Sequence, residues 1–294
     1  MTQNGLATIR NAKLPLSLLA AISFIVACAS SAMAGITITQ SSCPILIAQA
    51  GEYDLATDVG PCLDVVDGID IVASGVTLRL NGHTITGGSP GCNDSAGIHV
   101  GSLLFPISQV HVLGPGTVRN FANGFLAQNS AGSSVKFLTA EVQCARSADG
   151  LEISAPGSQW KLEGNVVRGG SSSLGIALDR GVDDNDLVRN DVNNGIELVD
   201  SSNNIVINNT AHDGFEGITL VGLVIGSNNN EIHSNTTNNN RDSGLAVSFG
   251  SSANNITGNT SFNNGLDMED DNPSCDSNKW KGNQFGTANQ SCIH

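Results

Sequence analysis

The second half of the chain says the same thing several times. A short apolar strand follows a glycine in each unit: Gly150-Leu-Glu-Ile, Gly175-Ile-Ala-Leu, Gly195-Ile-Glu-Leu, Gly217-Ile-Thr-Leu, Gly244-Leu-Ala-Val and Gly265-Leu-Asp-Met. A second phrase then ends on Asn165, Asn190, Asn209, Asn235, Asn259 or Asn283. The glycines are 25, 20, 22, 27 and 21 residues apart, and the asparagines 25, 19, 26, 24 and 24. Units this short cannot bury an apolar face alone. With strand patterning and no helical pattern, they must stack into a solenoid of β-coils. Further units begin at Gly124, Gly97 and Gly68, giving nine glycine marks and about nine coils.

Side chains alternate along a strand. The first and third residues after each glycine are therefore expected inside: Ile176 and Leu178, Ile196 and Leu198, Ile218 and Leu220, Leu245 and Val247. Glycine suits a tight turn that needs positive φ. Asparagine tolerates left-handed backbone, and at the same place in successive coils it can form an amide ladder. The asparagine column is the predicted ladder. His83, Gly116 and Ala140 occupy the matching places earlier, so it should span only the C-terminal two-thirds. Twenty of the 80 residues from Asn185 to Asn264 are asparagine. A tract that polar reads as disordered, but the regular Ile, Leu and Val positions give every unit something to bury.

The organisation follows: residues 1–34 a signal peptide, 35–67 an N-terminal cap, 68–266 the repeats, and 267–294 a last coil and disulfide-closed cap. Solenoid ends need covering because their open strand edges would pair with other molecules. Insertions at 87–96, 101–108, 179–186 and 221–230 lengthen turns, and such insertions often build a binding face. At the N-terminus, Arg10 and Lys13 precede an apolar run over 14–26 and the small-residue site Ala32-Met-Ala34. That is an export signal cleaved before Gly35, for a secreted or periplasmic protein. The alternative is a membrane-anchored lipoprotein, with Ile25-Val-Ala-Cys28 as a lipobox. No other stretch is apolar enough to span a membrane.

Of seven cysteines, six remain once Cys28 is removed or lipidated, an even number suited to an oxidising compartment. The adopted pairing is Cys43–Cys62, Cys92–Cys144 and Cys275–Cys292; the first and last close short loops at the two ends. No CxxC spacing favours a metal. The net charge is −14, which sets aside nucleic acid and anionic membranes as partners. Polyuronates would be repelled too, unless a divalent cation bridges them. A monomer is the expected state.

Gly51-Glu-Tyr53, Leu78-Arg-Leu80-Asn-Gly-His-Thr-Ile-Thr86, the Gly and Asn repeats, and the tail Cys275-Asp-Ser-Asn-Lys-Trp280 with Phe285-Gly-Thr-Ala-Asn-Gln-Ser-Cys292 carry a wider resemblance. They resemble the right-handed parallel β-helix repeat proteins of the pectate-lyase-like superfamily, over nearly all of the chain beyond residue 34. The resemblance implies an all-β fold and an extracellular polysaccharide as partner. That superfamily includes pectate lyases, polygalacturonases, alginate epimerases and lyases, and periplasmic proteins linked to copper-enzyme maturation. Fold resemblance does not transfer a site. The chain has no polygalacturonase-like Asn-Thr-Asp, Gly-His-Gly or Arg-Ile-Lys segment and no epimerase-like Asp-Pro-His-Asp. Its six His and three Met are scattered.

In such enzymes the substrate lies along the outer face of one sheet. The outward positions form a column of Asp70, His99, Leu126, Glu152, Ala177, Glu197, Thr219, Ala246 and Asp267, beside a second of Gln128, Ser154, Asp179, Val199, Ser248 and Glu269. Glu152, Asp179 and Glu197 fall on three consecutive coils and are the candidate catalytic carboxylates. His99, Gln128 and Arg180 are the candidate substrate contacts. The same carboxylates can hold Ca²⁺, though alternating polar residues are also what any solvated strand carries. The acidic turn at 183–186 and Asp267, Glu269, Asp270 and Asp271 are expected to be solvated loops. Two function classes stand: a lyase, hydrolase or epimerase of extracellular polysaccharide, and a non-catalytic solenoid for glycan binding, adhesion or envelope structure.

Overall fold

The computed structural model describes residues 35–63, 65–88, 95–102, 105–142, 149–170 and 173–294. One coil shows the build. Strands Ile196–Val199, Ile205–Ile207 and Thr210–His212 make three sides, and Ile218–Val221 opens the next coil. Each pairs in parallel with its counterpart one coil on: Ile196 with Ile218, Val206 with Ile232, Ala211 with Thr237. The result is a parallel β-helix. One side is an eleven-stranded sheet, called here the groove sheet. The strand Ile45–Ile47 heads its stack, with Ile45 opposite Ile69, so the segment 35–67 already carries strands in register with the body. Among the described residues no helix is long and apolar enough to cross a membrane.

The expected inward residues are inward. Leu151, Ile176, Ile196, Ile218, Leu245 and Met268 lie one above the other, none more than 1% exposed. Each such side chain contributes about 1.5–3 kcal/mol by leaving water, and stacking like on like lets one packing solution serve every coil.

The marking glycines serve a different purpose from the one expected. Of the nine, only Gly195 has positive φ, at 85°. The others are needed because the chain passes too close for a side chain. A Cβ on Gly150 would lie 2.0 Å from Val167 Cγ1 and 2.6 Å from the Gly175 carbonyl oxygen; on Gly175 it would lie 2.0 Å from Val192 Cγ1.

The asparagine ladder is present. Side-chain amides link Asn165 to Asn190, Asn209, Asn235, Asn259 and Asn283 at 2.9–3.1 Å. Asn190 shows the full accounting. Its Nδ2 donates to Asn209 Oδ1 and to the Leu162 carbonyl, both at 2.9 Å, and its Oδ1 accepts from the Asn165 backbone N–H and Nδ2, both at 3.0 Å. A buried amide with both donor hydrogens and both acceptor sites used carries no desolvation debt. The left-handed backbone falls on the residue before the ladder. Gly164, Arg189, Asn208, Ser234, Gly258 and Gly282 have φ of 55–64°, and the ladder asparagines do not. A second ladder joins Asn185, Asn204, Asn230, Asn254 and Asn278. Each member sits five residues before a member of the first, a regularity that the alignment on one column passed over.

The end of the helix departs from expectation in one place. Ser243 pairs with Leu266 and Leu245 with Met268, so Asp267 takes the place of a marking glycine and Glu269 follows Ala246 in the outward column. Asp267 is 4% and Asp270 0% exposed; neither is a solvated loop residue. Burial pushes the Asp267 carboxyl up, but backbone N–H groups of Asn264, Gly286 and Thr287 (2.9–3.1 Å) bring it below the usual range. Asp270 accepts from Trp280 Nε1 at 2.8 Å and Asn278 Nδ2 at 3.2 Å. These two carboxylates tie the tail across the open end. Disulfides join Cys43 to Cys62 and Cys275 to Cys292. Cys92, Cys144 and the 1–34 segment with Cys28 lie outside the described residues.

Candidate functional site

The outer face of the groove sheet carries the chemistry. Register places Asp70, His99, Leu126, Glu152, Ala177 and Glu197 in one column. Gln128, Ser154, Asp179 and Val199 form the next. A third outward position, just before the marking glycine, holds Ala96, Asn123 and Asp149, since the strands Asn123–Ala131 and Asp149–Ser158 begin before their glycines.

His99, Gln128 and Glu152 line one cavity of about 500 Å³ together with Asp67, Asn123 and Asp149. A second hollow, about 820 Å³, continues past His99 and Gln128 to Asp70, Asn129 and Pro156. Glu152 is firmly held. Asn123 Nδ2 donates to its Oε2 at 2.7 Å, and the Ser154 hydroxyl donates to its Oε1. Asn123 Oδ1 also accepts the Asp149 backbone N–H at 3.2 Å, which fixes the two acidic residues relative to each other. Burial pushes the Asp149 carboxyl up to about 7; the nearby Glu152, Glu197 and Asp179 charges push the same way, and the Leu174 N–H opposes them. At neutral pH the cavity thus holds a carboxyl group still able to give a proton. His99 Nδ1 lies 3.1 Å from Asp70 Oδ1 and 3.5 Å from Asp67 Oδ2. The Asp70 carboxylate raises the imidazole's pKa, burial works against it, and Asp67 and Gln128 add to the rise.

Glu197 belongs to a neighbouring cavity of about 210 Å³ with Asn194, Phe215, Glu216 and Thr219. Burial raises its pKa, and the Glu216 and Asp179 charges raise it further. Thr219 Oγ1 donates to Glu216 Oε2 at 2.7 Å, while the Phe215 ring stands 56% exposed at the rim. Asp179, opposite Ser154 and Val199, lines neither cavity; its Oδ1 is 3.5 Å from Arg180 Nε, and the Arg180 side chain is 76% exposed. The three candidate carboxylates therefore share a face and a field, but Glu152 and Glu197 stand in separate hollows and Asp179 in neither.

Asp149, Asn123, Asp67, Phe215 and Glu216 were not among the sequence candidates. Counting outward positions only after each glycine hid them. Asn123, Asp149 and Glu216 each stand directly before a marking glycine. Strict alternation counted back from Leu126 and Glu152 would turn Asn123 and Asp149 inward, but the glycine itself faces the core, as Gly150 does towards Val167, and that break brings them to this face.

The protein is similar in structure to the periplasmic alginate epimerase AlgG, at 15% identity over 81% of this chain and 69% of that one, with a TM-score of 0.54. It is similar also to the Dettilon tailspike protein, at 13% identity over 86% of this chain and about half (54%) of that one, with a TM-score of 0.52. Likeness at this identity speaks for the fold alone. No curated protein matches the sequence. The family model for the right-handed β-helix region matches residues 117–287. That span holds both asparagine ladders and more than half of the chain, and the protein belongs to the right-handed β-helix family.

Proposed function

We propose that the protein is an exported glycan hydrolase whose substrate lies along the groove sheet, across the coils bearing His99, Glu152 and Glu197. One observation carries the reading. Asp149, a carboxyl held near 7, shares a cavity with Glu152, whose two oxygens are fixed by Asn123 and Ser154. Glycoside cleavage needs a proton donor and a second carboxylate in one site, with environments that separate their roles. Asp149 gives its proton to the leaving oxygen, and Glu152 activates water or attacks the sugar. Asp179 and Glu197 sustain the raised pKa of Asp149 and contact the chain further along. Phe215 offers a face for a sugar ring beside Glu197 and Glu216. The disulfides and the periplasmic location in the name of the AlgG neighbour support export.

Charge narrows the substrate. Asp67, Asp70, Asp149, Glu152, Asp179, Glu197 and Glu216 line or border this face, against the Arg180 guanidinium and the His99 imidazole. A polyuronate such as alginate would meet like charge at every sugar. The face suits a neutral or amine-bearing polysaccharide, so the chemistry in the neighbour's name does not carry over. The Phe215 cavity favours a second reading, glycan binding without cleavage, because an exposed ring beside acceptors recognises sugar whether or not a bond breaks.

The test is a panel of neutral, amino and uronic polysaccharides, following new reducing ends and unsaturated uronates. We expect reducing ends from a neutral or amino glycan, reduced at least 100-fold in Asp149→Asn and in Glu152→Gln. Unsaturated uronates as the product would overturn both the substrate class and the reaction. Saturable glycan binding with no product would establish the second reading.

A further inference from the structure

Three side chains on the first coils of the groove sheet converge without any need from the hydrolytic pair. Asp67 precedes the strand Ile69–Ile71, Asp70 lies within it, and His99 stands opposite Asp70 on the next coil. One ligand atom from each of the three lies within 4.8 Å of the others. The imidazole Nδ1 is 3.1 Å from Asp70 Oδ1 and 3.5 Å from Asp67 Oδ2. Ligands about 2.0–2.1 Å from a tetrahedral Zn²⁺ stand roughly 3.4 Å apart, so these separations are those of neighbouring ligands around one small ion.

The groups around the three fix which atoms they present. Asp67 Oδ1 accepts the Ala96 backbone N–H at 2.7 Å, which turns Oδ2 towards His99. Gln128 lines both hollows beside His99. Asp70 Oδ1 is closed off from solvent and accepts no hydrogen bond of good geometry; His99 stands at ion-pair distance from it without the alignment. A shielded carboxylate oxygen lacking a donor costs free energy, and a cation between it and the imidazole would remove that cost. His99 lines both hollows of the groove, with Asp67 in one and Asp70 in the other, so the remaining coordination positions open to ligand.

We propose that Asp67, Asp70 and His99 form a binding site for one divalent cation of the zinc class, with its open positions facing the groove. The imidazole sets the class. Ca²⁺ and Mg²⁺ take oxygen ligands, whereas nitrogen with two carboxylates suits Zn²⁺ and its first-row neighbours. Three protein ligands leave room for water or a sugar hydroxyl. The site stands whether or not the groove cleaves glycan.

The experiment uses metal-stripped protein. Zn²⁺ binding is measured by calorimetry and by metal analysis after dialysis, and the absorption spectrum is recorded with Co²⁺ alone. We expect one Zn²⁺ per chain, a Co²⁺ d–d band of low-symmetry coordination, and at least a tenfold loss of affinity in His99→Ala and in Asp70→Asn. Asp242→Asn, an exposed acid elsewhere on the surface, should bind as the parent does. A shift of the His99 ring nitrogen resonances on adding Zn²⁺ reads ligation in the unaltered protein, even if a variant misfolds. No saturable Zn²⁺ binding, binding indifferent to both variants, unmoved His99 resonances, or preference for Ca²⁺ over Zn²⁺ would each overturn the proposal.

Discussion

The coils from Asn185 to Asn283 and the coils from Asp67 to Glu152 share one backbone plan and spend their polar residues in opposite ways. In the first region the polar side chains turn inward at the corners. There asparagine bonds asparagine from coil to coil, with both donor hydrogens and both acceptor sites of Asn190 used. In the second they turn outward into hollows, where carboxyls and an imidazole stand close together and the pKa values of Asp149 and His99 are raised. A ladder works by making each coil the same as the last. A site needs neighbouring coils to differ, so that His99, Leu126 and Glu152 follow one another in a column. Regularity and chemistry compete for the same coils, and they overlap from the coil of Glu152 and Asn165 to that of Glu197, where the ladder is turned inward and the cavities face out.

The largest effect should come from breaking a ladder. Asn209→Ala removes the acceptor of the Asn190 backbone and side-chain N–H groups, a donor to Asn235, and the donor to the Leu187 carbonyl, all buried. Leaving several buried polar groups unpaired costs about 3–5 kcal/mol. Gln128→Ala, a similar amide deletion in the groove, should cost under about 1 kcal/mol. Urea unfolding of the two variants compares them directly. Equal losses would mean that the ladders stabilise no more than surface polar contacts do.

The period of the coils, the inward residues and the first ladder were legible because each rests on local spacing that recurs. The second ladder was equally written, five residues upstream, and needed only a second alignment. Other features were not legible, for physical reasons. The glycines pack against the opposite wall of their own coil and the backbone of the next, contacts some 20 residues away that no local conformational rule reports. Asp267 displaces a glycine at the last coil because the register slips by two there, and its value lies in N–H groups of Gly286 and Thr287 on the returning tail. The groove was half legible. Alternation put Glu152, Asp179 and Glu197 on one face, but Asp149 owes its raised pKa to burial first and to those same three charges second. Burial of that kind is a property of the assembled face.

A middle-sized effect tests whether the groove pays in stability for what it holds. Asp149 sits at about 7 in the folded chain, against roughly 4 when unfolded. Below pH 4 it is protonated in both states and costs nothing. Between those values the folded chain keeps a proton that the unfolded chain has lost, and stability falls as pH rises. Above about 7 the penalty is complete. The shift corresponds to roughly 4 kcal/mol, about half of which should survive because the group borders an open groove. Asp149→Asn should therefore be more stable than the parent by about 2 kcal/mol at pH 8 and equal to it at pH 3.5. Denaturation at the two pH values is the check. A pH-independent difference would assign the effect to packing rather than to ionisation.

The smallest effect returns to the ladders and asks what shapes their corners. Ala253 precedes the ladder residue Asn254, is exposed, and has φ of 57°; Asp184, Asn203 and Asn229 precede three of the other four members with φ of 61°, 59° and 56°. A left-handed alanine is strained by about 1 kcal/mol, and glycine is not. Glycine also widens the unfolded ensemble, which returns part of the gain. Ala253→Gly should thus stabilise by about 0.5 kcal/mol. Ala211, buried within the strand Thr210–His212, gains no such relief, and Ala211→Gly should cost about 1 kcal/mol. Opposite signs for one substitution at two places two coils apart would show that the corner conformation acts apart from the asparagine beside it. If Ala253→Gly is also destabilising, the ladder amide alone holds the turn, and the left-handed residue before it is a consequence of the ladder rather than part of its cause.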